Sequence, residues 1–143
     1  AIGAAGLGWA MGGALGAKMS TPEAQVGAVC GDGSFIFSSP IAALWAAHDA
    51  GAPFLTVILN NQGYRASKNP VTALFPDGAS VRVGDFSGTT MTLPPDYAQL
   101  ARACHAEGIR VEDPVDLESA TKRGLDAIAA GRCAVLDVIV AAV

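Results

Sequence analysis

A strand–turn–helix–strand unit constrains the fold of this chain more than any other feature. Two short apolar runs, residues 26–30 and 54–59, predict buried strands, and residues 39–50 between them predict a helix. Parallel neighbouring strands joined by a right-handed crossover have their carboxyl ends at the same edge of the sheet. Polar residues that follow the two strands are therefore expected to meet there.

The residues at these two strand ends are of types that bind ligands. The first strand leads into Gly31-Asp32-Gly33-Ser34, and the second leads into Asn60-Asn61-Gln62-Gly63-Tyr64. Asp32 and Asn61, 29 positions apart, offer a carboxylate and an amide oxygen, ligands that suit Mg²⁺ shared with a phosphate group. Gly31 and Gly33 allow close approach of a diphosphate, and a helix N-terminus follows them. On residue types alone both segments are equally good surface turns, so the two interpretations remain open.

Other common phosphate and nucleophile motifs do not occur in the sequence. The dinucleotide fingerprint would need a glycine where Ile36 stands. The chain contains neither a Gly-Lys-Ser/Thr sequence nor a G-x-S-x-G nucleophile elbow. A Walker-type loop, a Rossmann dinucleotide site and a hydrolase elbow are thereby excluded.

The composition indicates a single domain that buries much of its surface against another domain or molecule. A chain of 143 residues suits a single domain, 1–143, and its 15% charged residues fall below the usual share of about 25%. The net charge of −4 gives no electrostatic reason to expect nucleic acid or an anionic membrane as partner. Three cysteines without metal-like spacing favour a reduced, cytoplasmic setting.

The uncharged start of the chain raises a membrane span or a signal peptide as alternatives. Residues 1–17 contain six glycines and no basic leader, which argues against both. We expect a soluble protein in which the first residue is a cut inside a longer chain.

The remaining pattern alternates helices and strands. It predicts a helix over 6–19, a loop region over 62–93 with room for one short helical piece, a helix from Tyr97 to Gly108, a strand over 109–111, a helix capped by Asp116 and a strand over 134–140. Alternation of this kind predicts an α/β fold, with a mainly parallel sheet buried on both faces by helices.

The interval between the two polar segments carries a family resemblance. Gly31-Asp32-Gly33, then 26 residues, then Asn60-Asn61 resembles the cofactor signature of thiamine-diphosphate-dependent enzymes. The sequences Asn61-Gln62-Gly63-Tyr64 and Gly6-Leu7-Gly8-Trp9-Ala10 are similar to the branch with benzoylformate decarboxylase, pyruvate decarboxylase and acetolactate synthase. Two segments depart from that pattern: Met11-Gly12-Gly13, and the Lys-Asn-Pro sequence after Tyr64.

This resemblance implies a role for individual positions. Asp32 and Asn61 would ligate Mg²⁺ through their side chains, and Gly63 through its carbonyl oxygen. The other implied cofactor-binding residues are Gly31, Gly33, Ser34 and Phe35 around the diphosphate, Leu7 beneath the bent cofactor, the Ala5 carbonyl at the aminopyrimidine, and Tyr64 beside the substrate pocket.

The resemblance also implies an activity and a partner. Family members decarboxylate a 2-oxo acid on thiamine diphosphate, and the intermediate that remains is then protonated or joined to a second carbonyl compound. The activating glutamate belongs to a pyrimidine-binding domain, usually met across a homodimer or homotetramer interface. That domain is expected outside this chain, together with the opening strand and helix of its own domain, so no catalytic residue is assigned here.

Two further functions remain open alongside the enzyme. One is a non-catalytic Mg²⁺- or cofactor-binding assembly module that retains the metal turn. The other is a phosphate-transferring α/β domain with Asp32 as nucleophile, in which Asn61 would have no clear role.

Overall fold

The chain folds into alternating helices and strands, as a computed structural model that describes residues 6–141 shows. The elements are α1 (Trp9–Ser20), β1 (Gly27–Gly31), α2 (Asp32–Phe37), α3 (Pro40–Asp49), β2 (Leu55–Asn60), α4 (Arg65–Leu74), α5 (Ala79–Val83), α6 (Tyr97–Ala103), β3 (Glu107–Val111), a short 3₁₀ helix (Pro114–Asp116), α7 (Leu117–Ala129) and β4 (Ala134–Ile139).

All four strands are parallel, in the order β1-β2-β4-β3. The register pairs Gly31 with Leu59 and Ile58 with Asp137. The predicted α/β fold with a parallel sheet is therefore confirmed. The carboxyl ends of β1 and β2 lie side by side, as the crossover argument requires.

Helices cover the sheet on both faces, but unequally. One face packs under α1, α2 and α6, and α3 packs against these helices. The core on this side is built around Phe35, Phe54, Ile58, Tyr97 and Val135. Among residues 6–141, the opposite face packs under α7 alone, around Ile109, Val111, Ala120 and Leu136.

The prediction of strands buried on both faces is confirmed for β4 and wrong for β1. Residues 134–137 of β4 are all buried, because this strand lies inside the sheet under helices on each side. β1 is an edge strand that no helix of residues 6–141 covers on its second face, and Val29 is 68% exposed there.

The helix predicted over 6–19 begins later than its sequence suggests. α1 starts at Trp9, since Gly8 adopts a left-handed backbone conformation with φ of 84°. Gly8, Gly12 and Gly16 are four residues apart, a spacing that predicts a face which a neighbouring backbone can approach closely. This holds for Gly8, where a Cβ would lie 2.5 Å from the Phe37 carbonyl oxygen, but not for the other two. A Cβ built on Gly12 or Gly16 would meet no atom within 4 Å.

Two helices, not one, fill the crossover between β1 and β2. α2 begins at Asp32 itself, and α3 follows after Ser39, whose φ of 50° breaks the helical path. A serine directly before Pro40 predicts a side-chain cap at Ser39, but the Ser39 side chain makes no capping hydrogen bond. Gly51, with φ of 58°, follows the end of α3, as a glycine after a helix predicts.

Three other boundaries differ from the sequence prediction. The loop region over 62–93 contains two helices, α4 and α5. α6 ends at Ala103, and Gly108 lies in β3, where a side chain would collide with the Ala98 carbonyl of α6. Asp116 makes no side-chain cap; Asp113 instead accepts a bond from the Val115 N–H at 2.9 Å.

No helix within residues 6–141 combines the length and the apolar character that crossing a bilayer requires.

Candidate functional site

The two predicted oxygen ligands come together at the carboxyl edge of the sheet. Asp32 is the first residue of α2, directly after β1, and Asn61 directly follows β2. The Gly63 N–H lies 3.1 Å from Asp32 Oδ2 and 3.1 Å from Asn61 Oδ1. Both side chains therefore point their oxygens at one backbone group, although they are 29 positions apart in the sequence.

Asp32 carries a buried negative charge without a cationic partner. Its exposed fraction is 1%, and within residues 6–141 no Lys, Arg or His side chain forms an ion pair with it. A buried carboxylate ordinarily needs a counter-charge or a metal ion, since removing it from water is costly. The site therefore fits a cation placed against Asp32.

Gly63 supplies backbone atoms at the centre of the site. A Cβ at this position would collide with the Thr89 carbonyl oxygen, so only glycine fits. The flanking bonds are Tyr64 N–H to Thr89 O at 2.7 Å and Met91 N–H to Gln62 O at 2.8 Å. Among residues 6–141 no N–H or O–H donates to the Gly63 carbonyl oxygen, which leaves it available to a ligand.

The amide of Asn60 links this loop to the centre of the sheet. Its Oδ1 accepts a bond from the Gln62 N–H at 3.1 Å, and its Nδ2 donates to Asp137 Oδ1 at 2.8 Å. Gln62 has φ of 58°, a left-handed conformation that is costly for a residue with a side chain. Sequence reasoning missed Asp137. The signal available was one acidic residue inside the apolar run 134–140.

Ser34 connects the Gly-rich turn to the segment before α1. Its Oγ accepts a bond from the Gly8 N–H at 3.1 Å. Leu7, next to Gly8, is 57% exposed, so its side chain is free to contact a ligand. Ala5, also predicted to contact the cofactor, lies outside the described residues.

Tyr64 covers Gly33. A Cβ built on Gly33 would lie 2.5 Å from Tyr64 Cε1, so the glycine makes room for this ring. The Tyr64 ring also meets Phe37 edge-on, with centroids 6.3 Å apart. Phe35 is fully buried against Tyr97, so its side chain belongs to the core and only its backbone faces the turn.

The Asp32 carboxylate makes nearby acids harder to ionise. Burial, and then the Asp32 charge, raise the pKa of the Cys30 thiol to about 11. Burial, followed by the charge of Asp32, also raises the pKa of Tyr97 above its usual value. Both groups are therefore neutral donors at neutral pH.

The ligand types at this site distinguish between metals. The described part of the chain holds no group of three or more His, Cys, Asp and Glu side chains that could bind a metal ion. The Asp32–Asn61–Gly63 set offers only oxygens and few of them. Mg²⁺ prefers oxygen ligands and commonly shares its remaining positions with substrate phosphates and water.

Comparison with known proteins matches this chain to one family. Residues 1–138 match the family described as thiamine pyrophosphate enzyme, C-terminal TPP binding domain. A putative acetolactate synthase large subunit of Mycobacterium tuberculosis is 31% identical over 134 residues, which cover 94% of this chain and 22% of that protein. Benzoylformate decarboxylase of Pseudomonas aeruginosa is 31% identical over 125 residues, which cover 87% of this chain and 22% of that protein.

A solved structure gives the same result. The thiamine diphosphate-dependent 4-hydroxybenzoylformate decarboxylase of Rhodococcus jostii RHA1 is similar with a TM-score of 0.74 and 29% identity. The match covers 95% of this chain and 23% of that one. The chain thus spans between a fifth and a quarter of the length of these relatives.

Proposed function

Because this chain belongs to the thiamine pyrophosphate enzyme family, as its C-terminal TPP-binding domain, we propose that it binds Mg²⁺–thiamine diphosphate within a 2-oxo acid decarboxylase or an acetolactate-synthase-like carboligase. One observation carries the metal part of this proposal. Asp32 and Asn61 direct their oxygens at the Gly63 N–H, and the buried Asp32 charge has no cationic partner within residues 6–141.

The proposed metal ligands are Asp32, Asn61 and the Gly63 carbonyl oxygen. Gly31, Gly33 and Ser34 line the turn in which the diphosphate would lie. The Ser34 oxygen already accepts from Gly8, so its own proton remains available to donate to a phosphate oxygen. Leu7, the Ala5 carbonyl and Tyr64 would contact the organic part of the cofactor and the substrate.

Thiamine diphosphate, when bound, supplies the carbanion chemistry that decarboxylates 2-oxo acids. The residues of this chain bind, orient and shield that group. Asp32 is not proposed as a proton donor, since its side chain is buried and already accepts a hydrogen bond. The proposal leaves proton transfer to a glutamate of a pyrimidine-binding domain, in the same chain or in a partner.

Exposed apolar surface supports such a partner domain. Trp9 is 56% exposed, and Ile41 and Trp45 are each 62% exposed. A groove of ≈ 580 Å³ runs between α1 and β1, with Trp9 and Val29 among its lining residues. Large side chains at this exposure are typical of surfaces that a second domain or subunit covers. We therefore propose a homo-oligomer in which this face is buried.

Calorimetry on the intact protein that carries this chain tests the cofactor proposal. Thiamine diphosphate should bind in the presence of Mg²⁺, and binding should be lost with EDTA and in Asp32→Ala. Asp126→Ala, which alters an exposed ion pair with Lys122, is the matched control and should bind normally. Undiminished cofactor binding by Asp32→Ala would overturn the proposal. CO₂ release from pyruvate and aromatic 2-oxo acids then distinguishes the substrates.

A further inference from the structure

Asn60 and Asp137 form a fully buried polar pair behind the proposed metal loop. Asn60 is the last residue of β2, with 1% of its surface exposed, and Asp137 lies in the neighbouring strand β4 with 0% exposed. The pair is joined by the Asn60 Nδ2 to Asp137 Oδ1 bond of 2.8 Å. Arg110 lies farther off, with Nη1 3.4 Å from Asp137 Oδ2.

The chemistry of this pair determines how the Asn60 amide is oriented. A carboxylate only accepts hydrogen bonds, so the Asn60 NH₂ group must face Asp137. Its carbonyl oxygen then faces the Gln62 N–H, from which it accepts a bond at 3.1 Å. With the amide reversed, two N–H donors would face each other at Gln62. Asp137 therefore selects the one orientation of Asn60 that holds the loop.

The backbone of Gln62 is the part of this loop that hydrogen bonds must hold in place. Its φ of 58° is unfavourable for a side-chain-bearing residue. The Asn60 oxygen fixes its N–H, and the Met91 N–H fixes its carbonyl at 2.8 Å. This left-handed step turns the chain so that the Gly63 N–H points at both Asp32 and Asn61.

We propose that Asp137 is a positioning residue for the metal loop: through Asn60 it holds Gln62 in its left-handed conformation and so sets Asn61 and Gly63 for the cation. The proposal rests on the proposed Mg²⁺–diphosphate function for its purpose, but the loop geometry is testable without any ligand. Partners of metal ligands commonly change metal affinity about 10- to 100-fold when they are mutated.

Three variants of the intact protein separate this role from general stability. Asp137→Leu removes the carboxylate and keeps the number and branching of side-chain heavy atoms. The double variant Asn60→Asp with Asp137→Asn exchanges the two groups: the new carboxylate accepts from residue 137 and from the Gln62 N–H, and the new amide oxygen faces Arg110. Thr56→Val is the control. Thr56 lies in β2, as Asn60 does, and is equally buried, but its hydroxyl bonds to Met11 Sδ at 3.2 Å, away from the loop.

Hydrogen–deuterium exchange of residues 60–64, measured without cofactor, is the first readout. Exchange should accelerate at least tenfold in Asp137→Leu, return to near the wild-type rate in the double variant, and stay unchanged in Thr56→Val. Wild-type exchange in Asp137→Leu, or equal acceleration in Thr56→Val, would overturn the positioning role. If Asp137→Leu does not fold, the double variant decides: fast exchange of residues 60–64 in a folded double variant also overturns it.

Mg²⁺-dependent thiamine diphosphate binding is the second readout. Affinity should fall about 10- to 100-fold in Asp137→Leu and recover to within about threefold in the double variant. A wild-type protein that binds no Mg²⁺–thiamine diphosphate would remove the proposed function. The exchange experiment would still decide whether Asp137 holds the loop.

Discussion

The side chains of Asp32 and Asn61 both accept a hydrogen bond from the Gly63 N–H, each at 3.1 Å. One N–H therefore holds together two oxygens from residues that directly follow different strands. A single N–H compensates a buried carboxylate only in part, since a full negative charge out of water needs more than one neutral donor. The free protein should accordingly be less stable here than it is with a cation bound.

The first prediction concerns this uncompensated charge. Asp32→Asn should raise the free energy of unfolding by about 1–3 kcal/mol in the absence of metal, because it removes a buried charge that has no partner. The same change should abolish any stabilisation by added Mg²⁺. Thermal unfolding with EDTA and with Mg²⁺ measures both effects. Asp126→Asn on exposed α7 is the control; a metal-free Asp32→Asn protein less stable than wild type contradicts the prediction.

The second prediction separates two glycines at the start of α1. Gly8→Ala should destabilise the protein, because its φ is 84° and a Cβ would lie 2.5 Å from the Phe37 carbonyl oxygen. Gly12→Ala, inside the helix with no atom within 4 Å, should be neutral or stabilise by up to about 1 kcal/mol. Denaturant unfolding of both variants measures the difference. Equal effects from the two would show that the Phe37 contact does not constrain Gly8.

The third prediction concerns the pH dependence of Cys30 reactivity. Its pKa of about 11 leaves about one thousandth of the thiol ionised at pH 8, and alkylation requires the thiolate. Alkylation should rise with pH towards 11. A neighbouring negative charge opposes thiolate formation, so Asp32→Asn should lower the pKa of Cys30 and speed its alkylation at pH 8. Mass spectrometry of each cysteine peptide gives the rates.

Cys133 provides the internal control for this experiment. Its pKa is raised by burial, with an opposing hydrogen bond from the Phe54 backbone and no contribution from Asp32. Alkylation of Cys133 should therefore not respond to Asp32→Asn. If both cysteines speed up together, the cause is a general loosening of the fold and not the Asp32 charge.

The sequence predicted the meeting of Asp32 and Asn61 better than it predicted which helix faces are buried. Apolar runs ending in polar residues determine where parallel strands end, and that was enough to bring Asp32 to Asn61. It was not enough to find Asp137, since nothing local reveals that an acidic residue in β4 faces the end of β2. That contact depends on strand order, which a crossover leaves undetermined.

Helix faces were predicted less well for a related reason. In α3, Ile41, Leu44 and Trp45 lie on one apolar stripe, which predicts that all three are buried. The buried side chains instead include Ala43, Leu44 and Ala47, and Ile41 and Trp45 are each 62% exposed. In α7 the buried face is Ala120, Gly124 and Ala127, while Leu117 and Leu125 remain 41% exposed. Small residues allow a helix to pack closely against its neighbours. The large apolar side chains of the same helices remain exposed on the surface of this domain. Hydrophobicity alone does not distinguish the two uses.

The last prediction concerns two neighbouring histidines near the ends of α3 and α6. The rings of His48 and His105 lie 5.1 Å apart, at an angle of 32°, where α3 and α6 end. His48 is within a helix, whereas His105 has φ of 62°, a left-handed conformation that glycine adopts without strain. His105→Gly should therefore stabilise the protein by about 1 kcal/mol, and His48→Gly should destabilise it by up to about 1 kcal/mol.

Each variant removes one ring of the same pair, so loss of ring contact alone predicts equal effects. Denaturant unfolding distinguishes the cases: opposite signs establish that backbone conformation outweighs the ring contact, and matching losses establish the reverse.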